Sequence, residues 1–129
     1  MTEVQKINHF FRKPKYPVII NVDGILVCGK SAITLSRRLS EIKSMKSESY
    51  PVIDSAVEGW AFMPDHWVIS PMTIKKRWTK LEIIKLFNER KNKKSGDPLY
   101  SEKSLSSKRL DKVFKDIFDL LNKTYRDRE

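Results

Sequence analysis

One cysteine, two histidines and four glycines are all that 129 residues supply of those types. With Cys28 alone, no disulfide can close within the chain and no cysteine-rich zinc site can form, which fits a reducing compartment. His9 and His66 add too few ligands for a protein-held zinc ion, so no metal or other cofactor is expected. The longest apolar runs, such as residues 25–28, fall far short of the roughly 18 residues that span a bilayer. Lys6, Arg12 and Lys13 precede no apolar stretch of signal-peptide length. These absences point to a cytoplasmic protein that does not enter membranes.

What the chain has in excess is positive charge. Lysine and arginine number 26 against 16 acidic residues, a formal net charge of +10. Forty per cent of the residues are hydrophobic, enough for a core, and the length suits one domain over residues 1–129 with an N-terminal arm over 1–16. The excess is local, because residues 72–94 hold nine basic and two acidic side chains while residues 51–71 hold no basic side chain. A surface carrying one sign of charge attracts polyanions.

Periodicity predicts an α+β fold: a small antiparallel sheet with about three helices packed mainly on one face. Asp23-Gly24 between the β-branched runs 18–22 and 25–28 is a strong hairpin signal, because both turn residues must take positive φ. Ser31 is placed to cap a helix over 31–45, with Leu35, Leu39, Ile42 and Met45 on one side. Residues 50–57, 59–63 and 66–69 read as strands, with Trp60 and Phe62 on one face. Thr79 and Glu82 form a capping box at the start of a helix over 80–91, with Trp78 set to pack on Ile83. A last helix over 107–126 carries Leu110, Val113, Phe114, Ile117 and Leu121 on one stripe.

Three patterns suggest chemistry. Residues 24–31 satisfy G-x-x-x-x-G-K-S and resemble a phosphate-binding P-loop. That resemblance implies phosphate contacts from Gly24, Gly29 and Lys30, magnesium at Ser31, and Asp54 as a second acidic partner; the same residues read equally as a hairpin. Residues 63–68 resemble the strand entry of single-strand transposases of the His-hydrophobic-His type, but Val68 stands where that family needs its second histidine. Pairing Asp65 with Glu89 and Lys91 as a nuclease motif fails because the latter two belong to a helix surface. No catalytic residue is therefore assigned.

The basic residues carry the leading expectation. Lys75, Lys76, Arg77, Lys80, Lys91, Lys93 and Lys94 bracket one helix, with Trp67 expected to be partly exposed and Arg12, Lys13, Arg37 and Arg38 as further cations. Cations neutralise phosphates and exposed rings stack bases, so the expected function is a non-enzymatic nucleic-acid-binding accessory or regulatory protein, for DNA or RNA. The competing class is a protein-interaction module that docks an acidic protein or a second copy through the last helix or a sheet edge.

Overall fold

The computed structural model describes residues 6–72, 77–93, 96–97, 99–103 and 107–128. Among these residues six strands and three helices follow in the order β1 (Asn8–His9), β2 (Val18–Val22), β3 (Ile25–Gly29), α1 (Ala32–Leu39), β4 (Tyr50–Ile53), β5 (Gly59–Met63), β6 (Val68–Pro71), α2 (Lys80–Asn88) and α3 (Leu110–Arg128). The α+β class is as the sequence predicts. The sheet is larger than expected, with six strands in the order β1-β6-β5-β4-β2-β3. It is also mixed, because β1 joins β6 in parallel, pairing Asn8 with Val68 and His9 with Ile69.

Local chemistry accounts for the elements. Asp23 and Gly24 take φ of 52° and 94°, the two positive values that a tight hairpin turn requires, and Val22 faces Ile25 across it. Ser31 caps α1 by accepting from the amide of Thr34. Both bonds of the Thr79–Glu82 capping box are made at α2.

Strand alternation divides the apolar side chains into two layers. Ile19, Leu26, Cys28 and Ile53 face α2 and α3, where they meet Trp78, Ile84, Phe87, Phe114, Ile117 and Leu121. Val18, Ile20, Val52, Trp60, Phe62 and Ile69 lie on the other side with Leu35 and Leu39 of α1 and with Ile7 of the arm. The predicted stripe of the last helix is thereby consumed in the core. The loop before α3 is tied to it where Tyr100 donates to Asp116 at 2.8 Å, beside Lys108 at 3.1 Å and Lys112 at 2.9 Å. Burial pushes the Asp116 carboxyl up, but hydrogen bonds from Lys112, Tyr100 and Lys108 overcome this and hold it down at about 2.

Candidate nucleic-acid interface

Among the described residues, the basic side chains grouped by sequence are spread along the length of α2. Lys75, Lys76 and Lys94 lie outside the described residues. Arg77 and Lys91 flank opposite ends of α2, whose nine residues span about 13 Å. The amide of Lys91 donates to Gly24 at the hairpin tip, whereas the backbone of Arg77 forms an antiparallel β-bridge with Glu58 beside the start of β5. Lys93 is exposed and contacts the carbonyl of Asn88, while Lys80 is half-buried with its ammonium on the carbonyl of Lys108 at 2.9 Å. Trp67 is half-buried, edge-on to Phe62 at 5.4 Å, and Trp60 and Phe62 are interior as alternation predicts.

The two arginines of α1 have different fates. Arg37 is exposed. Arg38 is only 5% exposed, donating to the carbonyl of Cys28 at 2.9 Å and to Asn122 at 2.8 Å, with its guanidinium 5.0 Å from the Tyr125 ring. Its expected place among phosphate-gripping residues is corrected, because its donors are turned into the interior and joined to groups there.

The phosphate-loop pattern is a hairpin strand. Gly24 is in the turn and Gly29 ends β3, with the residues between them paired to β2 throughout. The five strand residues between Gly24 and Lys30 extend over about 17 Å, so their amides cannot curl around one anion. Gly29 is required for packing, since a Cβ there would lie 2.8 Å from the amide nitrogen of Leu35 in α1. Ser31 serves as the helix cap. Asp54, 1% exposed, accepts from the amides of Lys15, Ala56 and Glu58 and from the Trp60 indole, at 2.9 to 3.1 Å. It organises a turn rather than a magnesium site.

That turn gathers a different basic surface. Lys15 is fastened to it twice, by its amide on Asp54 and by its carbonyl, which accepts from Ser55 at 2.9 Å. Arg12 reaches Glu58 at 3.2 Å and lies 4.9 Å over the Trp60 ring. The backbone of Arg77 lies beside that of the same Glu58 in an antiparallel β-bridge. Lys30 and Ser55 share, with Pro17 and Lys115, the lining of a hollow of about 580 Å³ that also carries Asp111 and Asp119 on α3. Arg12, Lys13, Lys15, Lys30 and Arg77 are all exposed; Asp54 of the turn is buried, Glu58 is paired with Arg12, and Asp111 and Asp119 share the hollow with Lys30 and Lys115.

The arm leading to this surface is a pinned loop. The amide of Phe10 donates to the carbonyl of Ile69 at 3.0 Å, and that of Arg12 returns to the carbonyl of Phe10 at 2.8 Å, closing a γ-turn around Phe11 at φ 68°. Phe11 is 93% exposed and Phe10 52%. Behind them His9 shares a 2.8 Å hydrogen bond with the Tyr16 hydroxyl, and the Lys13 ammonium stands 5.9 Å from the Tyr16 ring. Burial, and then repulsion from Lys13, lower the His9 pKa; burial raises that of Tyr16 to about 12. The sequence marks this segment only through adjacent phenylalanines among basic residues ahead of Pro14, and it names neither ring as a site.

The apolar stripe of α3 and the outer edge of β3, two surfaces that the protein-docking alternative could use, are engaged within the chain. Val113, Phe114, Ile117, Phe118 and Leu121 are buried, and the outer edge of β3 is bonded by Asn92, Tyr125 and Arg38. The other edge strand is two residues long. Among the described residues no group of three His, Cys, Asp or Glu side chains could hold a metal ion, and no helix is long and apolar enough to cross a membrane. No known family, curated protein or solved structure matches the chain.

Proposed function

We propose that this protein is a nucleic-acid-binding accessory or regulatory protein that grips the phosphate backbone with Arg12, Lys13, Lys15, Lys30 and Arg77. The observation that supports it is their convergence: three segments distant in sequence deliver five exposed cations around the turn over residues 54–58. Glu58 holds Arg12 in place, and because that pair is solvent-exposed it exchanges readily for a phosphate. Contacts of this kind position a backbone without reading its sequence, and they release counterions, so affinity falls steeply with salt.

The test is fluorescence anisotropy with labelled single-stranded DNA, duplex DNA and RNA, each at two salt concentrations. Micromolar or tighter binding that weakens with salt is expected. The combined substitution Arg12→Glu, Lys13→Glu and Lys15→Glu abolishes it, while Lys91→Glu with Lys93→Glu, at the hairpin end, leaves most of it. Circular dichroism checks that both variants remain folded. No binding at low salt, or equal losses in the two variants, overturns the assignment.

A further inference from the structure

Neither burial nor backbone preference explains Phe11. A bulky residue at φ 68° is strained, a small polar residue or glycine would take the turn more easily, and the ring is 93% exposed to water. The loop is fixed on both sides of the tip, at Ile69 through Phe10 and at Asp54 and Ser55 through Lys15, so the ring is presented from a defined position. The Phe10 ring stands at 84° to it, 6.4 Å away, so the two are not stacked on each other and Phe11 keeps a face open. Arg12 and Lys13 follow directly in the chain. One planar apolar surface with cations alongside is complementary to one nucleobase with its phosphates.

We infer that Phe11 stacks on an unpaired base, which makes single-stranded nucleic acid the preferred ligand of the surface described above. The inference rests on the nucleic-acid assignment and narrows it. In a duplex each base face is covered by its neighbours, so an open ring finds a partner only where bases are unpaired or splayed. An anionic bilayer also combines negative charge with apolar surface, but interfacial binding draws on a broad apolar face. Among the described residues the other large exposed apolar side chains, Ile33, Leu81 and Leu99, lie singly on three other segments, α1, α2 and the loop after α2. The tip therefore offers a contact the size of one or two rings.

The experiment compares a labelled 12-nucleotide single strand, the duplex of the same sequence and an abasic single strand of the same length. It also includes vesicles of phosphatidylcholine with phosphatidylserine. The wild-type protein binds the single strand more tightly than the duplex or the abasic strand. Phe11→Ala lowers single-strand affinity by about five- to a hundredfold, the range of one base–aromatic stack, and changes duplex affinity less than about twofold. Phe11→Trp retains single-strand binding, and its added indole emission is quenched by the oligonucleotide but not by the abasic strand. Because the ring is exposed, both variants keep the wild-type circular dichroism spectrum. If single strand and duplex bind equally and Phe11→Ala alters neither, stacking is overturned while the phosphate-gripping surface stands. Binding to no oligonucleotide removes both, and Phe11-dependent binding to the vesicles alone would replace both with a membrane contact.

Discussion

The side-chain amide of Asn92 is bonded to the backbone of Leu26 as a neighbouring strand would be. Its oxygen accepts from the Leu26 amide at 3.1 Å and its nitrogen donates to the Leu26 carbonyl at 3.0 Å. Tyr125 donates to the same carbonyl at 2.8 Å, and Arg38 covers that of Cys28 two residues on. Leu26 and Cys28 turn these groups away from β2, so three side chains occupy positions where another strand could add to the sheet.

Replacing Asn92 by alanine removes its two hydrogen bonds to Leu26 and a longer one to the Tyr125 hydroxyl, and leaves the Leu26 amide at the strand edge without its partner. The expected loss is about 1–3 kcal/mol, from leaving a partly buried peptide group unsatisfied, read as a lower midpoint in urea unfolding with an unchanged slope. The variant should also self-associate at concentrations where the wild type does not, measured by sedimentation velocity. Wild-type stability in Asn92→Ala would show that water replaces the side chain without loss.

Arg38 and Arg37 are adjacent, yet their substitutions should differ in kind. Arg38→Ala strips donors from Cys28 and Asn122 and removes a stem packed beside Tyr125, for a loss of about 2–3 kcal/mol. Arg37→Ala, at an exposed position, should stay within about 0.5 kcal/mol. A parallel anisotropy titration checks that folded Arg38→Ala keeps wild-type affinity for nucleic acid, as an inward-facing guanidinium requires.

The hairpin and phosphate-loop interpretations of residues 24–31 separate in one pair of variants. Gly24→Val puts a β-branched side chain at φ 94°, and the backbone strain is expected to cost about 1–3 kcal/mol. The Lys91 side chain, 2.9 Å from the added Cβ, is flexible and can move aside. Lys30→Ala should leave stability nearly unchanged, because its side chain is exposed. Thermal melts in millimolar ATP, with and without magnesium, complete the comparison: the hairpin predicts no shift that requires magnesium.

What the sequence disclosed was local. Asp23-Gly24 demands one turn, Thr79 with Glu82 demands one helix start, and alternation puts Trp60 and Phe62 on the same side; the fold contains all three. The misses arise where tertiary contacts decide. Asn8 and His9 have no apolar rhythm, and they become a strand through backbone bonds to β6, some 60 residues on, beside a buried Ile7. The spacing of Ile42 and Met45 continues α1 on paper, but the chain tightens after Leu39, where Glu41 and Ile42 bond three residues back. Arg38 is drawn inward by a carbonyl 10 residues away and an amide 84 residues away, partners that no helical period discloses. The basic surface is equally non-local, because chain order groups Arg77 with Lys91 whereas the sheet groups Arg77 with Arg12.

His9 provides a titrating reporter inside the proposed interface. Its pKa is lowered from 6.5 by burial and then by Lys13, while Tyr16, held protonated with a pKa near 12, keeps its hydroxyl against the ring. A depressed histidine pKa means that the unfolded chain binds the proton more readily, so this contribution to stability is present above pH 6.5 and is lost as pH falls through the folded value. Phosphates docked on Lys13 cancel part of its repulsion and should raise the His9 pKa. By linkage, binding then takes up protons and tightens as pH falls through the same window. The measurement is an NMR titration of the His9 ring with and without saturating oligonucleotide. Lys13→Ala is expected to raise the pKa in the free protein and to shrink the further rise on binding. A His9 titration that saturating oligonucleotide does not move would place the bound phosphates away from Lys13, and with them the interface away from the arm.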